Sequence, residues 1–371
     1  MKTRKTVALA LSATCMLAAL AGCGSGDSGG SSSPGAGDKP KVIIISKSYQ
    51  NQFYQAAFKG AQDAADALGV DLTTNGPDAE SNIPQQVEQL ASAVNQRPAA
   101  IALAASDPNA VQDTLVQAKS AGIPVIGFDS GVPGDQSGAV VATAATDNEV
   151  AGANVATNLL ANADVQKALS AGTTDKPAVI GVLAQDSTSG SIVQRVNGFV
   201  DAAVTEVEKL PGMQDAVDVS GQEKWTKPSS SPAKVKIVVT VPPTTSQSDI
   251  QAAANTILAT DGLVSLFAAN QDAVNGVISA TGDATELNRE TGKYKDIFVV
   301  GFDAGASQKA AVASGAFLGS VTQDPYQMGY KAVELAVAAS KGEAVADVDT
   351  GSHWYDKSNI TDPQIAILLY D

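Results

Sequence analysis

Short apolar runs alternate along this chain with longer stretches in which apolar positions recur every three or four residues. The runs at 42–46, 70–73, 99–104 and 125–129 predict strands, with helices over 53–68, 83–95 and 110–121 between them. On the first of these helices Phe53, Ala57, Gly60, Ala61, Ala64 and Leu68 fall near one face. The second half repeats the rhythm. Strands are predicted at 179–183, 235–241, 263–268, 297–302 and 318–322, and helices at 191–208, 249–260, 273–281, 307–314 and 325–340. Alternation of this kind builds a parallel sheet with helices on both faces. Two such series predict an α/β protein of two doubly wound parallel-sheet domains.

Local chemistry marks several boundaries. Asp107–Pro108 and Asp324–Pro325 each place an N-cap acceptor before a proline suited to the first helical position. Residues 146–149 (TDNE) fit a capping box. The Pro/Ser-rich stretch 210–233 reads as a surface insertion, with Trp225 packing that insertion rather than touching a ligand.

Two strand ends carry the same phrase: IPVIGFD at 123–129 and IFVVGFD at 297–303. In an open parallel sheet, ligands sit beyond the carboxyl ends of the strands. Asp129 and Asp303 stand at such ends, one in each series, so facing domains would aim both carboxylates into one cleft. A single GFD reads more readily as a capping or turn aspartate; the matched pair in separate halves points to a ligand.

The chain opens on Lys2, Arg4 and Lys5, followed by an apolar stretch over 7–21 that is too short to span a bilayer. The stretch ends in LAGC (20–23), which resembles a bacterial lipobox, so residues 1–22 are expected to be a lipoprotein signal and Cys23 the lipidated first residue. Residues 23–39 are Gly/Ser-rich and read as a flexible tether. Cys15 leaves with the signal, so no disulfide or cysteine-based metal site or nucleophile is expected. Losing three positive charges takes the formal net charge from −15 to −18. An acidic chain without basic runs is poorly suited to nucleic acid. About 330 residues remain beyond the tether, enough for two domains.

Catalytic signatures are sparse. The one histidine, His353, has no partner motif, and neither a G-x-S-x-G elbow nor a P-loop lysine motif occurs. GSGDSG (24–29) matches G-x-G-x-x-G only inside the tether, and DVDTG (347–351) fails the spacing of a calcium loop. Paired carboxylates could run glycoside hydrolysis, which keeps a secreted carbohydrate-active enzyme as an alternative.

Taken in order, SYQNQFYQAAFKGAQDAADALG (48–69), IPVIGFDSGV (123–132), ATDNEVAG (145–152), IVQRVNGF (192–199), FAANQDAVNGV (267–277), VVGFDAG (299–305) and GSVTQDPYQMGYKAVE (319–334) resemble the periplasmic sugar-binding proteins of the ribose-binding type, the receptors of ABC importers. Sugar-responsive repressors share that fold but begin with a DNA-binding helix pair, where a lipid signal is expected in this chain.

The resemblance implies a three-strand hinge joining a domain of 40–145 plus 324–352 to one of 146–323 plus 353–371. It places Asn51, Phe53, Tyr54 and Asp129 at the site from the first domain, and Arg195, Asn270, Asp303 and, at the hinge, Gln323 from the second. Two positions depart from the ribose binders: Ser130 replaces the arginine that usually follows the first cleft aspartate, and Lys47 stands where a small hydroxyl residue is common. Lys47 is expected to supply the positive charge instead, and the ligand then need not be ribose: another pentose, a hexose, a polyol or autoinducer-2 fits as well.

The chemistry of these residues suits a sugar independently of the family. Carboxylates accept from hydroxyls, arginine donates a rigid fork, amides do both, and aromatic rings cover the ring faces. The expected protein is a lipid-anchored, monomeric, extracytoplasmic receptor without cofactor, metal or enzymatic activity. It would touch the membrane only through its anchor and deliver a small carbohydrate to an ABC permease and its ATPase. A sugar or autoinducer-2 signal receptor without transport is the alternative.

Overall fold

A computed structural model describes residues 39–370; the expected signal, Cys23 and all of the tether but Lys39 lie outside the described residues. The first half gives β1 (Lys41–Ile45), α1 (Gln52–Leu68), β2 (Asp71–Asn75), α2 (Ile83–Asn95), β3 (Ala100–Leu103), α3 (Gln112–Ser120), β4 (Val125–Phe128) and β5 (Val140–Ala145). Next come α4 (Asn148–Leu160), α5 (Ala163–Ser170), β6 (Ala178–Leu183), α6 (Gly190–Glu208), β7 (Val217–Ser220) and β8 (Val235–Thr240). They are followed by α7 (Gln247–Leu258), β9 (Leu263–Ala268), α8 (Gln271–Ala280), β10 (Phe298–Phe302), α9 (Ala306–Ser314) and β11 (Phe317–Gln323). The last elements are α10 (Pro325–Ser340), β12 (Val348–Asp349), β13 (Ser352–Tyr355) and α11 (Pro363–Ala366).

These strands form two sheets, one ordered β12-β5-β4-β3-β1-β2 and the other β13-β11-β10-β9-β6-β8-β7. All strand pairings in them are parallel except β11 with β13. Each sheet is covered on both faces. In the first domain α1 and α10 bury one apolar cluster while α2 and α3 bury the other. In the second, α4, α5 and α6 lie on one face and α7, α8 and α9 on the opposite one. The chain leaves the first sheet after β5, returns to it between β11 and α10, and leaves again between β12 and β13.

Helix α1 illustrates how sequence becomes packing. Asn51 Oδ1 accepts the Phe53 N–H at its start, and Gly69 ends it in the left-handed region (φ 70°). Its buried face includes Ala57, Ala61 and Ala64, while Leu68 is exposed. Gly60 and Gly329 let α1 and α10 touch backbone to backbone: a Cβ on Gly60 would stand 1.9 Å from the Tyr326 carbonyl oxygen, and one on Gly329 1.8 Å from that of Ala57. Gly152 and Gly198 do the same for α4 against α6. Each domain thus carries one close helix pair.

Several local expectations are corrected. Helix α3 starts at Gln112 rather than after Asp107, whose carboxylate accepts the Asn109 N–H in a turn of its own. The N-cap of α4 is Asp147, which accepts from Val150 N, so no capping box forms on Thr146; the Thr146 hydroxyl donates instead to the Gly351 carbonyl. The stretch 210–233 is not simply a surface insertion. It contains edge strand β7, paired with β8, and Trp225 is buried in the domain core with its indole N–H on Asn197 Oδ1 at 2.8 Å.

Candidate ligand-binding site

Both sheets reverse their winding order at the strand pairs β1/β3 and β6/β9, which is where open α/β sheets leave a crevice at their carboxyl ends. The two crevices meet in a narrow cavity. Lys47, Asn51, Phe53, Tyr54, Glu80 and Asp129 line it from the first domain; Ser191, Ile192, Arg195, Asn270, Gln271, Asp303 and Gln323 line it from the second and from the end of β11. Every site residue named from the sequence is there except Cys23, outside the described residues, and Ser130. Ser130 faces a neighbouring crevice, and its hydroxyl donates to the Ala105 carbonyl at 2.8 Å.

The two strand-end aspartates have the same backbone geometry. Asp129 has φ 53° and Asp303 φ 72°, a left-handed conformation that aspartate tolerates better than most residues. Each N–H is held by the adjacent strand, Asp129 N on Ala144 O and Asp303 N on Val321 O. Strand pairing therefore fixes the turn that presents each carboxylate. Asp129 Oδ2 accepts from the Tyr54 hydroxyl at 2.6 Å and lies 3.6 Å from Lys47 Nζ. Asp303 accepts from Gln323 Nε2 on Oδ1 (2.6 Å) and from the Gln271 N–H on Oδ2 (2.9 Å).

Arg195 is held by the protein. Its Nε and Nη2 donate to Asn148 Oδ1, its Nη1 donates to the Ala269 carbonyl, and its guanidinium lies 3.5 Å from the centre of the Phe302 ring. Asp303 is 4.0 Å away. Burial lowers the Arg195 pKa, opposed by Asp303 and Asp129. Burial raises that of Asp303, opposed by Arg195 and its two donors. Asn270 is spent at both ends: its Oδ1 caps α8 on Ala273 N, and its amide donates to Gln185 Oε1. Tyr54 packs edge-on against Phe53 and Phe128.

Glu80, Ser191, Ile192 and Gln271 also line the cavity, though sequence reasoning had not named them. Glu80 and Gln271 follow β2 and β9, so the rule that found the aspartates could have found them; neither sits behind a repeated phrase that would single it out. Glu80 Oε2 is 3.5 Å from Lys47 Nζ and accepts from Gln185 of the second domain at 3.0 Å. Lys47 donates across the cleft to Ser189 Oγ at 3.1 Å, and Gln271 donates to Gln52 Oε1 at 3.0 Å. Burial works against the Lys47 charge, but Glu80, Asp129 and Asp186 more than offset it and hold the ammonium above its ordinary value. Two buried carbonyl oxygens, Gln271 Oε1 and Gln323 Oε1, have no hydrogen-bond partner.

No helix among the described residues is long and apolar enough to cross a membrane, and no group of three acidic, His or Cys side chains among them is placed to hold a metal. The carboxylates of the DVDTG stretch tie down backbone instead: Asp347 accepts from Thr143 N, and Asp349 from Asp147 N and Gly351 N.

Residues 42–344 match the family model described as a periplasmic binding protein domain. The ribose import binding protein of Escherichia coli is 25% identical over 307 residues, 83% of this chain and 87% of that protein. Among solved structures, one described as an ABC transporter, LacI family transcriptional regulator from Brachyspira murdochii is 35% identical, with a TM-score of 0.74 over 90% of this chain and 99% of that one. A carbohydrate transporter solute binding protein from Agrobacterium radiobacter, in complex with D-arabinose, is 28% identical, with a TM-score of 0.71 over 90% and 100%. With two α/β domains meeting at the carboxyl ends of their sheets, the chain belongs to the periplasmic binding protein family, in its type I form.

Proposed function

We propose that this protein is an extracytoplasmic substrate-binding lipoprotein of an ABC sugar importer, a binder rather than an enzyme. It takes a small carbohydrate into the cavity between its domains and closes over it by rotation at the hinge. Ribose and D-arabinose, named for two of its relatives, set the scale of the ligand. The observation that carries this reading is the pairing of Asp129 and Asp303 in one cavity beside two partnerless carbonyls. A ring bearing several hydroxyls supplies the donors these acceptors lack, while Phe53 and Tyr54 cover its apolar faces. Lys47, Arg195 and Asn270 act mainly by holding the carboxylates and the helix start in place, and Asn51 keeps its amide N–H₂ for the ligand. Ser130 takes no part.

A thermal-shift screen over pentoses, hexoses and polyols tests the assignment. The cognate sugar at ~100 times its dissociation constant stabilises the protein by about 2.7 kcal/mol; a panel in which no sugar moves the transition would overturn it. The anchor is tested separately. Cys23→Ser should abolish partitioning into the detergent phase, and unchanged partitioning would remove the lipoprotein assignment.

A further inference from the structure

Unneutralised, the ammonium of Lys47 would draw an anionic sugar into the cavity. Its side chain is 6% exposed, and its Nζ stands between Glu80 Oε2 at 3.5 Å and Asp129 Oδ2 at 3.6 Å. Without Glu80, the two cations of the lining, Lys47 and Arg195, would balance Asp129 and Asp303. Glu80 adds a third carboxylate to the lining, and Asp186 and Asp272 stand close enough to act on it. Arg195 leaves little to offer an anion, since three of its N–H groups already serve Asn148 and Ala269.

The open hydrogen-bonding positions point the same way. Gln271 and Gln323 present partnerless carbonyl oxygens. Neither amide gains by turning over, because its nitrogen already donates to Gln52 Oε1 or to Asp303 Oδ1. These two open acceptors call for donors, which the hydroxyls of an uncharged sugar supply and a carboxylate or phosphate group does not. Burial, opposed by Lys47 and reinforced by Asp272, Asp186 and Asp129, pushes Glu80 up to about 7.

We infer that Glu80 determines specificity: by cancelling Lys47 it makes the cavity accept uncharged polyhydroxylated rings and reject sugar acids and sugar phosphates. This rests on the sugar-binding reading above and names its substrate class. Glu80→Gln keeps an acceptor for Gln185 and the side chain's shape, removes the charge, and exchanges the other acceptor oxygen for an N–H₂.

Calorimetric titration at about pH 8, where Glu80 is ionised, decides it with three matched pairs: D-glucose and D-glucuronate, D-galactose and D-galacturonate, D-ribose and D-ribose 5-phosphate. For whichever neutral sugar binds the wild type, its anionic partner should bind at least about 100-fold more weakly. In Glu80→Gln that ratio should shrink about tenfold or more, whatever happens to the neutral sugar itself. An anion within about tenfold of its neutral partner on the wild type, or a ratio unmoved in a folded Glu80→Gln, overturns the inference. Should the variant not fold, the wild-type ratio alone decides. Binding by none of the six would instead overturn the sugar reading, and the inference with it.

Discussion

Replacing Asp303 by asparagine should damage binding more than the same change at Asp129, and the difference can be worked from the hydrogen bonds. Asparagine tolerates the left-handed backbone at both positions (φ 53° and 72°), so strain does not enter. At position 129 the remaining carbonyl can still accept from Tyr54, and one charged acceptor is lost to the ligand. Losing a hydrogen bond to a charged group costs about 1.5–3 kcal/mol, or about 10- to 150-fold in affinity. At position 303 both oxygens are engaged, by Gln323 Nε2 and by Gln271 N. An amide there keeps Gln271 N satisfied only by turning its own N–H₂ toward Gln323, which must then turn over and present its carbonyl.

That turn removes a second ligand acceptor, the Gln323 carbonyl, worth about 0.5–1.5 kcal/mol more. The total of about 2–4.5 kcal/mol predicts about 30- to 2,000-fold weaker binding for Asp303→Asn. The unliganded protein should also lose about 1–3 kcal/mol of stability, as charge-assisted bonds become neutral and Arg195 loses its nearest carboxylate. Calorimetric titration with the sugar found by screening, beside urea unfolding without it, measures both. Affinity within about threefold of wild type (under ~0.7 kcal/mol), or a smaller loss than for Asp129→Asn, would refute the reasoning.

Two further outcomes are expected. Gly329→Ala should destabilise by about 1–3 kcal/mol in urea unfolding, because its Cβ would meet the Ala57 carbonyl oxygen at 1.8 Å; a gain of about 1 kcal/mol, the helix-propensity effect alone, would show that α1 and α10 are not in close contact. Burial holds Glu80 protonated up to about 7 against an ordinary 4.5, so the folded state binds that proton more tightly than the unfolded chain. Its contribution to stability is complete below about 4.5 and is lost as pH rises to about 7. The stability of wild type relative to Glu80→Gln should fall across that window and level off on either side; a flat difference would contradict the burial.

Much of this was legible because parallel strands buried on both faces are written as unbroken apolar runs. Leu263–Ala268, Ile83–Asn95 and Pro325–Ser340 fall where the pattern puts them. Strand β5, VVATAA, escaped because it has small residues and alternating burial, and β7 because it is an edge strand within a Pro/Ser-rich stretch. β12 and β13 are too short to carry a period. The Asp129/Asp303 pair was legible from a repeated phrase at strand ends. Glu80 was not, since its role depends on Lys47 lying 3.5 Å away, a proximity set by the pairing of β1 with β2 and by the loops beyond them. Ser130 looked like part of the site from its place in the chain, but the left-handed turn at Asp129 directs its hydroxyl to Ala105.

Small-angle X-ray scattering of the protein with and without a saturating concentration of the sugar identified by screening tests the central claim, that the two domains close on a carbohydrate, most directly. The account predicts a smaller radius of gyration with sugar, and no such change in Asp303→Asn at the same sugar concentration, held below that variant's weakened dissociation constant. Tight binding with an unchanged radius of gyration in the wild type would contradict it.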